Sequence, residues 1–163
     1  MSYFIIVRGP LGVGKTTIAK KLTKVLHAEY IAVDRILDEH GLTKDIEDGY
    51  ISQRSFITAN EIVTPRVKKI IKGGTPVVFD GNFYWKSQID DLINKIQCQH
   101  YIFTLKAPLK VCIERDSKRK KVHGRDASEA VYKKSTEFDY GTPIDATQSI
   151  NQCVNEIFFR LKK

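Results

Sequence analysis

The chain has 163 residues, of which 42% are hydrophobic and 28% charged, a composition typical of a globular protein and not of a disordered or fibrous one. This length suits a single domain, which we place at residues 1–163. No apolar run approaches a membrane span and no signal-peptide layout is present, so we expect a cytoplasmic protein without membrane contact. Three cysteines without C-x-x-C spacing argue against a zinc site. The formal net charge of +8 favours anionic partners.

The first 26 residues predict a strand, a glycine-rich turn and a helix. Residues 3–7 are an apolar run of strand length, and apolar residues recur at helical spacing from Ile18 to Leu26. Between them, residues 9–16 match G-x-x-x-x-G-K-[ST] at every fixed position. In this context the pattern predicts a phosphate-binding loop, because backbone N–H groups and the helix N-terminus attract a polyphosphate. We predict that ATP binds to Gly9, Pro10, Leu11, Gly12, Val13, Gly14, Lys15, Thr16 and Thr17.

Two side chains of this loop have specific predicted roles. Lys15 is expected to reach the β- and γ-phosphates, which makes it a candidate catalytic residue as well as a nucleotide ligand. Thr16 offers a hydroxyl to Mg²⁺, the second expected cofactor. The alternative interpretation is a plain glycine turn between a strand and a helix.

Further apolar runs of strand type follow the first, at Tyr30–Val33, Pro76–Phe79, Tyr101–Leu105 and near Pro143–Ala146. Helical patterns lie between them, and one of these contains Pro65, where we expect a kink or a break. Strands that alternate with helices predict an α/β fold, with a parallel sheet and helices on both faces. Ligands of such sheets bind beyond the carboxyl ends of the strands. The residues that follow each strand are therefore the candidates for a site.

Asp34 and Arg35 follow the second predicted strand. A carboxylate at this point can orient an attacking hydroxyl and accept its proton late in phosphoryl transfer, so Asp34 is a candidate catalytic and substrate-binding residue. Arg35 suits an anionic part of the substrate. The alternative for Asp34 is a helix N-cap, since Asp is favoured there.

Asp80, Gly81 and Asn82 follow the third predicted strand. A carboxylate that closes an apolar strand next to a phosphate loop can hold Mg²⁺, often through water. We predict Asp80 as a metal or substrate ligand and Asn82 as a substrate contact. The alternative for Asp80 is an Asx-turn over Gly81.

Basic residues concentrate between residues 106 and 125, after the fourth predicted strand. Arg115 and Arg119 are predicted nucleotide ligands, because a planar guanidinium can bridge phosphate oxygens or stack on a base. Arg115 and Arg125 are also candidate catalytic residues. Gly124 provides a hinge, so we expect a small lid at about residues 115–126 that excludes water on closure. A nucleic-acid-binding surface and a solvated helix face are the alternatives.

With these motifs the chain resembles the small P-loop kinases of the adenylate-kinase-like group, in particular chloramphenicol phosphotransferase-like and polynucleotide-kinase-like proteins, a class also known as AAA-type ATP-binding domains. The resemblance covers nearly the whole chain. Its specific parts are residues 9–17, Asp34, residues 77–82 and residues 107–115, which look like the start of the family's lid. The chain lacks the Asp-Gly-x-x-Arg signature of nucleoside monophosphate kinases after its second strand.

The resemblance implies a three-layer sandwich around a five-stranded parallel sheet of order 2-3-1-4-5, with ATP-dependent transfer to a hydroxyl or phosphate. It also implies that Asp34 is the base, that Arg115 contacts adenine or phosphate, and that Arg125 clamps the transferring group.

We therefore expect a kinase that moves the γ-phosphate of Mg-ATP to a hydroxyl of a small molecule, as a monomer or homodimer. A polynucleotide 5′-hydroxyl kinase is one alternative, since the net charge together with Arg35 and Arg54 suits a basic channel. A non-catalytic ATP-binding module is another. A GTPase switch is disfavoured, because Asn94-Lys95-Ile96-Gln97 lacks the aspartate of the guanine-reading N-K-x-D.

Overall fold

A computed structural model describes residues 2–162 of the protein. Its strands are β1 (Phe4–Arg8), β2 (Glu29–Ala32), β3 (Ile46–Glu47), β4 (Tyr50–Ile51), β5 (Val77–Asp80), β6 (His100–Lys106) and β7 (Thr142–Asp145). Its helices are α1 (Lys15–Leu26), α2 (Val33–Glu39), α3 (Gln53–Lys72), α4 (Lys86–Ile96), α5 (Leu109–Ser117), α6 (Arg125–Ser135) and α7 (Ile150–Leu161). None of these helices has both the length and the apolar character that crossing a membrane requires.

Five strands form one parallel sheet in the order β2-β5-β1-β6-β7. Counted among themselves along the chain, these strands have the order 2-3-1-4-5, so the predicted sheet is confirmed. The remaining strands, β3 and β4, pair with each other as a short antiparallel hairpin.

Alternation along β1 explains the three layers. Phe4 and Ile6 belong to a buried cluster that also contains residues of α3 and α4, whereas Ile5 and Val7 belong to a second cluster with residues of α1 and α7. Successive side chains of a strand point to opposite faces, so each apolar run of the sheet supplies both cores. All five residues of β1 are buried. Because β1 is the middle strand of the sheet, the loop that follows it lies at the centre of the sheet edge.

Two local features differ from the sequence-based expectations. Helix α3 continues through Pro65, so the predicted break is wrong; Val63, Val67 and Ile71 pack in the core on both sides of the proline. This packing outweighs the one backbone hydrogen bond that proline cannot donate. The β3–β4 hairpin was not predicted. Its turn places Asp48 and Gly49 at φ 53° and 83°, as an Asp-Gly type I′ turn requires.

Arg8, the last residue of β1, is a fully buried cation. Its guanidinium donates to Phe83 O at 3.2 Å, Thr104 Oγ1 at 3.0 Å and Ser135 O at 3.0 Å. It also lies 4.7 Å from the ring centre of Phe138. Desolvation lowers the pKa of Arg8 to about 10, although Asp139 opposes this shift. Arg8 thus connects the central strand with β6 and with the last turn of α6.

We predict that Arg8→Met destabilises the protein by about 2–4 kcal/mol, because three buried acceptors lose their donor. Urea unfolding followed by circular dichroism measures this. Arg160→Met is the matched control, since among residues 2–162 the Arg160 side chain pairs only with Glu156, at the surface; its effect should stay within about 0.5 kcal/mol. Equal stability of Arg8→Met and the parent protein would contradict this interpretation of Arg8.

Candidate functional site

The loop of residues 9–14 connects β1 to α1 and is shaped by its glycines. Gly12 and Gly14 have φ values of 76° and 106°, in the left-handed region that favours glycine. A Cβ atom on Gly12 would lie 2.2 Å from the carbonyl oxygen of Cys112 on α5. The loop therefore packs directly on α5. Helix α1 begins at Lys15 with no side-chain cap and no acidic residue in its first turn, which leaves its N–H groups available to an anion.

A cavity of about 590 Å³ opens beside this loop. One wall is formed by the loop and the start of α1, and the opposite wall by Arg115 and Arg119 together with residues 147–150. The sequence analysis did not identify residues 147–150 as part of a site. These residues follow β7, so the general rule for parallel sheets pointed to them, but they form no recognisable motif. The cavity is lined by Gly12, Gly14, Lys15, Thr16, Thr17, Arg115, Arg119, Thr147, Gln148, Ser149 and Ile150.

Lys15 lies at the edge of this cavity and folds back over the loop. Its Nζ donates to the carbonyl oxygen of Pro10 at 2.7 Å. Desolvation lowers the pKa of Lys15 to about 8, while the negative charges of Asp80 and Asp34 act in the opposite direction. The lysine is thus a poorly solvated cation beside two carboxylates, and an incoming anion would favour its protonated form.

Asp80 is buried and lies next to Thr16. Its Oδ2 accepts hydrogen bonds from Thr16 Oγ1 at 2.8 Å and from the Tyr30 hydroxyl at 2.6 Å. Tyr30 was predicted only as a strand residue, and no signal in the sequence marks its role. Burial raises the pKa of the Tyr30 hydroxyl, and the hydrogen bond to Asp80 raises it further. Tyr30 therefore remains a neutral donor that fixes the Asp80 carboxylate.

The oxygens of Thr16 and Asp80 suit Mg²⁺ in kind and number. Magnesium is usually bound by one or two protein oxygens, with phosphate oxygens and water completing its octahedron. Within residues 2–162, no cluster of three or more His, Cys, Asp or Glu side chains could hold a metal ion. A hydroxyl and a carboxylate beside a phosphate loop match the small number of protein ligands that magnesium usually has.

Asp34 lies in the first turn of α2, at the edge of the same region. The N-cap of α2 is Ala32, which makes no side-chain cap, so Asp34 does not have the capping role that was the alternative. Desolvation raises the pKa of the Asp34 carboxyl although the side chain is accessible; Lys15 opposes this shift and Asp80 adds to it. Among the described residues, Asp34 makes no side-chain hydrogen bond. Its carboxylate is thus available to a ligand.

The two arginines that line the cavity differ in their contacts. Arg115 Nη1 donates to Val13 O at 3.1 Å and to Ala146 O at 2.8 Å. It therefore ties α5 to the phosphate loop and to the end of β7. Arg119, in the segment between α5 and α6, is exposed and is free to turn towards a ligand in the cavity.

The segment between α5 and α6 is held by a buried carboxylate. Asp116 accepts hydrogen bonds from the backbone N–H groups of His123 and Gly124 and from His123 Nδ1 at 3.0 Å. Desolvation would raise the pKa of Asp116, but these donors outweigh it and the pKa is lowered. Because the Asp116 backbone also packs near Gly12, Asp116 links the end of this segment to the phosphate loop.

Like Asp34 and Asp80, the predicted site residues Arg35, Asn82 and Arg125 do not line the cavity. Arg125 pairs with Glu129 at 3.0 Å, and Arg35 pairs with Glu39 at 2.9 Å beside a different cleft. Asn82 is half-buried, and the Tyr84 and Trp85 side chains that follow it are part of the core. The structure therefore brings Thr16 and Asp80 into contact beside the loop, and the charge of Asp34 acts on Lys15, but Arg35 and Arg125 pair with glutamates of their own helices instead.

Residues 4–138 match a protein-family model described as an AAA domain. The chain belongs to the AAA domain family. No curated protein matches this AAA domain at a significant level. Solved structures with a similar fold include a sugar kinase from Janibacter, with 16% identity and a TM-score of 0.80 over 99% of this chain and 95% of the kinase chain.

Two more solved structures have the same fold as this AAA domain. A gluconokinase from Sinorhizobium meliloti has 15% identity and a TM-score of 0.73, over 93% of this chain and 87% of the gluconokinase. A tunicamycin resistance protein from Deinococcus radiodurans has 19% identity and a TM-score of 0.70, over 99% of this chain and 96% of that protein. This AAA domain therefore shares its fold with a sugar kinase, a gluconokinase and a tunicamycin resistance protein.

We predict that Gly12→Ala destabilises this AAA domain by about 2–5 kcal/mol, through a strained φ and the clash with Cys112 O. Gly49→Ala is the matched control, because Gly49 also has a positive φ but no atom within 4 Å of the added Cβ; it should cost about 1–2 kcal/mol. Urea unfolding compares the two variants. Equal losses would show that the contact between the loop and α5 has no energetic role.

We also predict that ADP affinity falls as the pH rises through about 8, where Lys15 loses its proton in the free protein. Since a phosphate favours the protonated lysine, the fall should approach about tenfold per pH unit. Isothermal titration calorimetry measures it, and Lys15→Met should bind weakly at every pH. A wild-type affinity that stays constant from about pH 7 to about pH 10 would contradict a role for the Lys15 charge.

Proposed function

We propose that the protein is an ATP-dependent phosphotransferase, which moves the γ-phosphoryl group of Mg-ATP to a hydroxyl of a small molecule. In this proposal the chain acts as one domain of residues 1–163, with a lid at about 115–126. The observation that carries the proposal is that Lys15 faces the cavity and also interacts with the charge of Asp34. Lys15 lines the 590 Å³ cavity, and its charge interacts with Asp34, which is not part of the cavity wall.

This arrangement suits transfer between two ligands. ATP would occupy the cavity, with its phosphates over the loop of residues 9–14 and its base towards Arg119 and residues 147–150. Lys15 would bind the β- and γ-phosphates, and Thr16 and Asp80 would hold Mg²⁺, which neutralises charge on these phosphates. A molecule beside Asp34 would then face the γ-phosphate from the side opposite the leaving group.

Asp34 has the properties of the residue that receives the proton. It is unpaired by hydrogen bonds among the described residues, and its raised pKa makes it a better base than an ordinary aspartate. Its carboxylate would orient the acceptor hydroxyl and take its proton late in the transfer. Phosphoryl transfer depends mainly on positioning and electrostatics, so a carboxylate that orients the acceptor and a lysine that binds the phosphates suffice as the core of the mechanism.

The arginines are assigned on the basis of their contacts. Arg115 would act mainly by holding the loop and the β7–α7 connection in place, because its guanidinium is engaged by two carbonyl groups. Arg125 would clamp the transferring group only after the lid rearranges. Its present pair with Glu129 is exposed, and exposed pairs contribute at most about 1 kcal/mol, so a phosphate could replace the glutamate.

The names of the structural neighbours support a transferase. Two of the similar folds are named as kinases, a gluconokinase and a sugar kinase, and both act, by name, on small molecules. The polynucleotide alternative needs a basic channel that includes Arg35 and Arg54. Arg35 instead lines a cleft other than the 590 Å³ cavity, which favours the small molecule.

We predict that Asp34→Asn lowers kcat by about 100-fold or more and changes the ATP dissociation constant by less than about threefold, because the base acts in the transition state. Coupled ADP release with an acceptor panel measures kcat. Asp38→Asn is the matched control, one turn further along α2 and exposed, and should retain activity. Lys15→Ala should abolish both nucleotide affinity and turnover.

Two results would contradict this proposal. If Asp34→Asn leaves turnover intact, Asp34 is not the base. If the wild-type protein binds ATP but forms no ADP with sugars, nucleosides, nucleotides, 5′-hydroxyl oligonucleotides or hydroxylated antibiotics, the non-catalytic ATP-binding module is the better description.

A further inference from the structure

A second cavity, of about 200 Å³, lies beside the first residues of the phosphate loop. Gly9 and Pro10 line this cavity, whereas Gly12 and Gly14 line the 590 Å³ cavity, and the two cavities have no lining residue in common. The rest of the smaller cavity's wall comes from the end of β6, the last turns of α6 and the segment that leads to β7. The phosphate loop therefore contributes to the walls of two separate cavities.

The smaller cavity suits an apolar body. Pro10, Leu105 and Ala107 line it, together with the aromatic residues Tyr132 and Phe138. An apolar protein cavity of about 150 Å³ is enough to hold benzene. The cavity therefore has room for one six-membered ring with a small substituent.

The hydroxyl groups of the wall already have partners. Ser135 Oγ donates to Val131 O at 2.7 Å, and Thr136 Oγ1 donates to Tyr132 O at 2.8 Å. Neither hydroxyl needs a ligand to satisfy it. Charge is thus the property of the wall that distinguishes one small ring compound from another.

An ion pair marks the solvent side of this cavity. Among the described residues, the charged ones that line it are Lys106 and Asp139, which pair with each other at 2.7 Å. Their side chains are 51% and 90% exposed, and exposed pairs contribute at most about 1 kcal/mol. A ligand carboxylate could therefore take the place of Asp139 on Lys106.

A further cation lies directly behind the wall. Arg8 is fully buried, donates to Thr104 Oγ1 and Ser135 O, and lies over the ring of Phe138. These three contacts of Arg8 all line the cavity. Although desolvation lowers its pKa to about 10, Arg8 is charged at neutral pH, and within residues 2–162 it forms no ion pair.

The charges at this cavity therefore leave one positive charge in excess, since Arg8 and Lys106 face the single carboxylate of Asp139. The excess charge is the buried one. Coulomb interactions are stronger where water is excluded, so the cavity favours an anion over a neutral compound of the same shape.

The cavity is also connected to Lys15. The carbonyl oxygen of Pro10 accepts a hydrogen bond from Lys15 Nζ at 2.7 Å. A Cβ atom on Gly9 would lie 2.9 Å from Leu105 O, so the start of the loop packs directly on β6 beside the cavity. A ligand in the cavity would contact the residue that holds the Lys15 side chain.

We propose that this cavity is an effector site for a small monocarboxylate with a six-membered ring. The ring packs against Pro10, Leu105 and Phe138, and the carboxylate binds Lys106 at the mouth. The site is separate from the cavity assigned to ATP, and its existence does not depend on the phosphotransferase activity. No bond is made or broken in it; the ligand acts on nucleotide binding through Pro10.

Benzoate and benzamide test the preference for an anion, because they have the same shape and differ in charge. Both are titrated into the wild-type protein at pH 7, and amide chemical shifts are followed by NMR. We expect benzoate to bind at least about tenfold more tightly than benzamide, with the largest shifts at Gly9 and Lys106 and small ones at residues 147–150. Equal affinities, or shifts centred on residues 147–150, would overturn the proposal.

Two variants with opposite expected effects test the mouth of the cavity. Lys106→Met should weaken benzoate binding about tenfold and leave benzamide unchanged, whereas Asp139→Asn should tighten benzoate binding by about threefold. Both side chains are exposed, so the melting temperature should change little. Lys110→Met is the matched control, because Lys110 is an exposed lysine nearby in sequence that does not line the cavity. Equal effects of Lys106→Met and Lys110→Met would overturn the role of Lys106.

A benzoate titration at increasing Mg-ADP separates this site from the nucleotide cavity. Because the carboxylate adds negative charge near the loop, we expect Mg-ADP to weaken benzoate binding by about twofold to fivefold, with a limit once ADP is saturating. A benzoate dissociation constant that rises in proportion to ADP would show one shared site and overturn the proposal. A constant unaffected by ADP would overturn the effector role. Neither result depends on whether the protein transfers phosphate.

Discussion

The close contact between the phosphate loop and α5 is the constraint on which the rest of the site depends. Gly12 leaves no room for a Cβ atom against the Cys112 carbonyl, and Arg115 donates to Val13 O and to Ala146 O. The loop, the helix that leads into the lid and the end of β7 are therefore fixed to one another. A loop with this support keeps its N–H groups in place before a ligand arrives, which lowers the cost of ordering on binding.

Around this fixed loop, Lys15 is the point where two regions meet. One region is the cavity between the loop and the wall formed by Arg119 and residues 147–150; the other contains Asp34, whose charge acts on Lys15. Desolvation lowers the pKa of Lys15. Electrostatic interactions are stronger in such surroundings, so one lysine can attract the phosphates of one ligand while it lies next to the base for the other.

The sequence was most informative where a residue's role depends on its chain neighbours. The glycines of the loop, Lys15 and Thr16 are recognisable because a strand and a helix adjoin them, and the sheet order followed from the family resemblance. Asp34 and Asp80 were found because the carboxyl ends of parallel strands meet at one edge.

Roles that depend on distant contacts could not be read from the sequence. Tyr30 meets Asp80 across 50 positions and Arg8 meets Ser135 across 127, and no local pattern reports such pairs. Arg35 and Arg125 show the opposite case. Their positions after a strand and within the basic segment pointed to the site, but in the structure each pairs with a glutamate four residues further along its helix. Pro65 likewise predicted a break in its helix, but core packing on both sides of the proline keeps α3 continuous.

The most direct test of phosphoryl transfer follows the γ-phosphoryl group itself. The wild-type protein is incubated with γ-labelled Mg-ATP and the same panel of hydroxyl acceptors, and the products are separated by chromatography. The account predicts that the label appears in an organic phosphate ester in proportion to the ADP formed. Label that remains in ATP, or that is released only as inorganic phosphate, would contradict it.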